Sequence, residues 1–153
     1  MVIRKTTSAE INLLIQLRMD YLLDQNKKEN LGNMEALEGK LRTYFTNVIQ
    51  NGTFAAVVAE EEDKVYSAAF LSIADRPPRS AEVPCAVGTV YNVYTYPEYR
   101  RRGLATKVME KLHETAGELG LGAVDLLASE DGKPVYEKLG YRIPEHTYMR
   151  RRV

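Results

Sequence analysis

A β-forming run over residues 86–95 stops at Pro97, three arginines follow at Arg100, Arg101 and Arg102, and Gly103 then opens a strongly periodic segment. Leu104, Ala105, Val108, Met109, Leu112, Ala116 and Leu119 recur at helical spacing, so the segment is a helix with one buried face. A strand thus passes through a short turn and a glycine into a helix. That order makes an anion site. The first helical turn holds N–H groups without an intrahelical partner, and the helix dipole puts partial positive charge there. Gly103 lets a phosphate approach the backbone, and the arginines add forked donors. The implied ligand is a phosphate-bearing cofactor.

The spacing Arg100-x-x-Gly103-x-Ala105 resembles the Arg/Gln-x-x-Gly-x-Gly/Ala motif of the GCN5-related N-acetyltransferases (GNAT), which holds the pyrophosphate of acetyl-coenzyme A. Upstream, Asn92-Val93-Tyr94-Thr95-x-Pro97-x-Tyr99-Arg100 resembles the splayed fourth strand of that family. Downstream, Pro134-Val135-Tyr136-Glu137-Lys138-Leu139-Gly140-Tyr141 is similar to its "LYEKLGF" segment. The three matches cover roughly the C-terminal half, and the N-terminal half agrees only in its order of elements. The resemblance implies one domain over residues 1–153 with the GNAT acyl-CoA N-acyltransferase fold, α/β (α+β) in class. Its mixed, mostly antiparallel sheet would have about six or seven strands, splayed at the central pair and flanked by about four helices.

The family's site carries over position by position. Val93, Tyr94 and Thr95 would lie along the pantetheine arm, one N–H pointing at the thioester oxygen. Arg100, Arg101, Arg102, Gly103, Leu104, Ala105 and Thr106 would hold the pyrophosphate. Tyr136 falls where the family places its general acid; a phenol with a pKa of about 10 is protonated at neutral pH and can pass a proton to a thiolate. Ser129 stands where many members carry a cofactor-contacting Asn, and Gly132 replaces the usual Ala. Without the resemblance, the same strand and the same tyrosine would also suit a buried core.

The general base stays open. No Asp or Glu lies between residues 86 and 96, so a water ordered by Asn92, Tyr91 or Tyr94 is one route. For the acceptor the candidates are Asn92, Tyr21 and Asp20; Asp24, Glu35 and Glu38 are further carboxylates on the first two helices. The expected activity is acetyl transfer to a primary amine of a small molecule or protein by direct attack in a ternary complex. The alternative is an acetyl-CoA sensor of the same fold without turnover.

Composition narrows the partners. Lys plus Arg and Asp plus Glu both number 21, a net charge of +0, whereas nucleic-acid binders usually carry a basic excess. No apolar run reaches the roughly 18 residues of a membrane span, and the first residues lack a signal-peptide core, so a cytoplasmic protein is expected. Its partners would be acetyl-CoA and an amine, with a homodimer a possibility that the family suggests. The lone Cys85 excludes an internal disulfide and reads as a small packing residue. His113 is expected on the exposed side of the cofactor helix and His146 in a terminal turn. Neither has a metal partner at ligand spacing, so no metal is expected.

Along the chain, residues 2–6 read as an edge strand. Thr7 and Glu10 form a capping box for a first helix carrying Ile11, Leu14, Ile15 and Leu22. A polar break at 26–33 leads to a second helix closed by Asn51-Gly52. Residues 53–59 and 65–73 form a hairpin with a charged turn over 60–64. A proline-rich loop spans 75–84. After the cofactor helix come a buried strand over 123–128, a short helix entered near Pro134, and two closing strands at 141–143 and 147–150.

Overall fold

The computed structural model describes residues 1–153. The order is β1 (Val2–Lys5), α1 (Ile11–Gln25), a 3₁₀ turn (Lys28–Leu31), α2 (Met34–Gln50), β2 (Phe54–Glu61), β3 (Lys64–Asp75) and β4 (Ala86–Thr95). A second 3₁₀ turn (Pro97–Tyr99), α3 (Leu104–Glu118), β5 (Ala123–Leu126) and α4 (Lys133–Lys138) complete it. The strands lie in sequence order, antiparallel from β1 to β4, and α3 crosses over to make β5 parallel to β4.

Side-chain alternation along the strands builds two cores. Ala56, Val58, Ala68 and Phe70 meet Leu14, Ile15 and Leu17 of α1 and Phe45 of α2 on one face. Val57, Ala59, Ala69, Leu71 and Val90 meet Val108, Met109, Leu112 and Ala116 of α3 on the other. The periodic face read for α3 is buried at Leu104, Val108, Met109, Leu112 and Ala116, whereas Ala105 is half-buried and Leu119, just past the last turn, is exposed. No helix is long and apolar enough to cross a membrane.

The sheet opens where the sequence places the splay. β5 pairs only with Val87–Val90, so β4 runs on to Thr95 without a neighbour on that side. At the same level β4 carries a bulge against β3. Ala68 faces Tyr94 and Phe70 faces Tyr91, so β4 takes three steps where β3 takes two. Asn92, at φ 54°, is the bulged residue with left-handed backbone.

Four local expectations differ. The sheet has five strands, not six or seven, because residues 141–153 form no strand. Pro144 lacks a donor there, Tyr141 gives its N–H to the Tyr136 carbonyl, and Ile143, Tyr148 and Met149 remain exposed. The strand β5 stops at Leu126 and is not buried: Ala123 and Asp125 are exposed, Val124 and Leu126 half-buried, and Leu127 beyond its end is exposed. The hairpin turn narrows to Glu62 and Asp63, both with positive φ (50° and 61°), as a two-residue turn matched to strand twist requires. Glu10 does accept the Thr7 N–H at 2.6 Å, but α1 begins only at Ile11. Arg4 holds the same carboxylate through two bonds of 2.9 and 2.7 Å and keeps Glu10 outside the helix.

Candidate active site

The turn from β4 into α3 presents donors and little else. None of the backbone N–H groups of residues 101–106 has a backbone acceptor, and no side chain caps the helix. Arg101 at φ 61° and Gly103 at φ 72° are both left-handed, a backbone alternation that turns successive N–H groups to one side and suits an anion. A Cβ on Gly103 would meet nothing within 4 Å, so here glycine is needed for its conformation. Leu104 is buried and anchors the first turn, with Ala105 and Thr106 half-buried beside it.

The three arginines divide their work. Arg100 donates from Nε to the Thr95 carbonyl at 2.9 Å and from Nη2 to Asp24 at 2.8 Å, with its guanidinium 5.8 Å from the Tyr94 ring centre. It ties the end of α1 to the end of β4. Arg102 donates to the Glu98 carbonyl at 3.1 Å and lies over Tyr99 at 5.4 Å. Arg101 is exposed and bonds to no other side chain.

Beyond the bulge, β4 is fixed from both faces. Val93 packs into the α3-side core, where Tyr136 also packs. Tyr94 is 6% exposed and meets Tyr21 edge-on, ring centres 6.1 Å apart. The Ser67 hydroxyl donates to the Tyr94 carbonyl at 3.0 Å and lies 2.8 Å from the Thr95 hydroxyl.

Helix α1 brings Leu17, Asp20, Tyr21 and Asp24 to one face at helical spacing. Asp20 accepts from the Tyr96 hydroxyl at 2.5 Å and from Gln16 at 2.8 Å. Burial, with Asp20 beside it, pushes the Tyr96 phenol well above its usual range. Asn92 is 2% exposed, donates to the Leu17 carbonyl at 3.4 Å and accepts from Arg18 at 3.2 Å. Its side chain is spent on holding the bulge to α1. Tyr91 is bonded to the Tyr44 hydroxyl at 2.9 Å, and burial raises its phenol strongly. On α2, Glu38 pairs with Arg42 and Glu35 lies exposed in the first turn.

Tyr136 stands on α4 beside the opening. Burial is the main cause raising its pKa, with the Tyr21 phenol adding to it, so the hydroxyl keeps its proton at neutral pH. A Cβ built on Gly132 would lie 2.9 Å from Cε2 of this ring and 3.1 Å from Oγ of Ser129. Glycine in place of the expected alanine therefore makes room for the tyrosine. Ser129 accepts the Gly132 N–H on its hydroxyl at 3.1 Å, and its carbonyl accepts from Gly132 and Lys133. That hydroxyl, with the carbonyl of the same residue, supports the turn that precedes α4.

His113 departs from its expected exposure. It is half-buried, with Nε2 2.8 Å from the Tyr141 hydroxyl, and burial lowers its pKa. No three His, Cys, Asp or Glu side chains gather in a metal-holding group. Sequence reasoning also missed Arg18, which lies 5.4 Å from the Tyr21 ring centre and 5.8 Å from that of Tyr91. An asparagine inside a strand was the available signal for the bulge, since Asn tolerates left-handed backbone.

The family model described as acetyltransferase (GNAT) domain matches residues 2–143. Among solved structures, a predicted acetyltransferase from Clostridium acetobutylicum with acetyl-CoA superimposes with a TM-score of 0.82 at 28% identity, over 98% of this chain and 95% of that one. Glucosamine-6-phosphate N-acetyltransferase from Arabidopsis thaliana gives 0.71 at 21% identity, over 98% and 97%. An aminoglycoside N-acetyltransferase in complex with CoA gives 0.73 at 15% identity, over 99% and 93%. The last two likenesses show the fold alone. No curated protein matches by sequence.

Proposed function

This chain belongs to the GNAT acetyltransferase family, and from that premise we propose that it transfers the acetyl group of acetyl-CoA to a primary amine by direct attack. The observation that carries the reading is the run of donor-only N–H groups at residues 101–106, at the end of a strand that has lost its neighbour. A pyrophosphate supplies the acceptors that turn lacks. Arg101 adds an unengaged positive charge beside it. The amide-bearing pantetheine arm fits along Val93, Tyr94 and Thr95, where the missing β5 partner leaves strand backbone available. The Clostridium relative with acetyl-CoA supports this choice of co-substrate.

Acetyl-CoA supplies an activated acyl group, so the protein needs no covalent nucleophile; its task is to hold thioester and amine together. A β4 backbone N–H takes the charge developing on the thioester oxygen. Tyr136, its proton retained by burial, donates to the leaving sulfur. The acceptor is placed on the α1 side, against Tyr21 and Asp20. Asn92 contributes indirectly by fixing the bulge that presents Val93 and Tyr94. With no carboxylate on β4, the amine loses its proton through ordered water at this face.

Two of the structural neighbours are named for glucosamine 6-phosphate and for aminoglycosides, and both amines therefore enter the first panel of acceptors. The test is thiol release from acetyl-CoA with glucosamine 6-phosphate, an aminoglycoside, a diamine and a tetrapeptide with a free amino terminus. Amine-dependent release, lost more in turnover than in cofactor affinity on Tyr136→Phe, supports transfer. An acetyl-CoA sensor would bind the cofactor and release no thiol with any amine.

A further inference from the structure

Tyr136 is followed by a helix end that folds back on it. Gly140 at φ 89° donates its N–H to the Glu137 carbonyl at 3.1 Å, and Tyr141 donates to the Tyr136 carbonyl at 3.0 Å. These two bonds form a Schellman ending, a geometry that sets the residue after the glycine against the residue five before it. Here both are tyrosines. Their rings meet edge-on at 5.8 Å between centres and 69° between planes.

A helix ending alone would be content with any apolar ring at position 141. This one is pinned from another element. His113 reaches from α3, its Nε2 2.8 Å from the Tyr141 hydroxyl and its ring centre 5.4 Å away. On the other side Gly132 leaves only the space the Tyr136 ring occupies, since even a Cβ would approach Cε2 to 2.9 Å. The Tyr136 ring is thus held between a glycine and a tyrosine, and that tyrosine is fastened to the helix whose first turn forms the anion site.

We propose that His113 and Tyr141 are positioning residues that hold the Tyr136 phenol in line with the thioester bound at the start of α3. The inference rests on the assignment of Tyr136 as proton donor. The bond between α3 and the Tyr141 ring keeps donor and cofactor turn in one rigid frame, because a general acid must sit within hydrogen-bond reach of the atom it protonates. Burial keeps His113 neutral at pH 7, so this bond does not depend on a charge. Neither residue touches the reacting atoms.

The test is a double-mutant cycle on thiol release, using acetyl-CoA and whichever amine of the panel above reacts fastest. Tyr141→Phe keeps the ring and loses the hydroxyl; His113→Ala removes its partner; His113→Gln keeps a hydrogen-bonding group. Tyr141→Phe and His113→Ala are expected to lower kcat about tenfold with KM for acetyl-CoA unchanged, and His113→Gln to recover part of it. In a Tyr136→Phe background, Tyr141→Phe should cause no further loss. Independent, multiplying losses, or an equal fall in cofactor affinity, would overturn the inference while leaving Tyr136 as the acid. Wild-type kcat in Tyr136→Phe, or no release with any amine, would overturn the assignment of Tyr136 and this inference together. Should His113→Ala fail to fold, Tyr141→Phe and His113→Gln carry the same comparison.

Discussion

The side-chain amide of Asn92 donates to the carbonyl of Leu17 at 3.4 Å, from a strand position whose φ is 54°. One residue thus makes the bulge in β4 and fastens it to α1. Asn92→Ala keeps a Cβ in left-handed backbone without the asparagine that tolerates it, removes the bond from β4 to the Leu17 carbonyl of α1 and leaves Arg18 without its acceptor. The expected loss is about 2–3 kcal/mol in urea unfolding, well above that of an exposed Asn→Ala. A loss below about 0.5 kcal/mol would remove Asn92 as the anchor.

Gly132→Ala adds one methyl 2.9 Å from the Tyr136 ring. The ring must turn or α4 must shift, and either moves the phenol. Turnover should fall several-fold while the melting temperature changes by a few degrees at most, the pattern of a misplaced group. Unchanged kcat would show that the ring yields without consequence.

Gly103→Ala meets no neighbour, so its cost is conformational, about 1 kcal/mol for a residue held at φ 72°. The substitution should weaken acetyl-CoA binding beyond that modest loss of stability, because the bend that converges the N–H groups depends on this angle. Equal affinity for both proteins would detach the bend from the cofactor.

Much of this was legible in the sequence, and the boundary has a physical cause. The anion turn and α3 follow from local signals: an apolar period of 3.6, a glycine at the turn and clustered charge. What escaped depends on neighbours far along the chain. Arg100 reads as a phosphate ligand, and its second task, a bond from Nη2 to Asp24 76 residues away, has no signal in the sequence. His113 lies among Lys111 and Glu114 on α3 and reads as solvated until the return after α4 covers it with Tyr141. Ser129 reads as a shortened cofactor contact, and the bond its hydroxyl accepts from the Gly132 N–H is a local role that spacing alone does not show. The closing strands were read from β-forming residues at 141–143 and 147–150, but a strand needs a paired edge as well as propensity.

Stability should fall on acidification through one identified group. Two guanidinium bonds from Arg4, with the Thr7 N–H, hold Glu10 at a pKa of about 2, down from 4.5. A lowered folded pKa gives stability that is fully present above 4.5 and is lost as pH falls towards 2. Glu10→Gln should cost about 1–2 kcal/mol at pH 7 and flatten the acid limb of the stability curve between those values. An identical acid limb in both proteins would assign the effect to other carboxylates. Arg4 stays charged throughout this range and adds no slope of its own.

The central claim is that the turn at residues 101–106 binds the pyrophosphate of acetyl-CoA at the mouth of the opened sheet. Calorimetric titration of the protein with acetyl-CoA, CoA and ATP tests it most directly. The account predicts that acetyl-CoA and CoA bind well above ATP, because the pantetheine arm along β4 adds contacts that a nucleotide lacks. Absence of binding by either CoA species would contradict it, reducing the arginine turn to a basic surface loop.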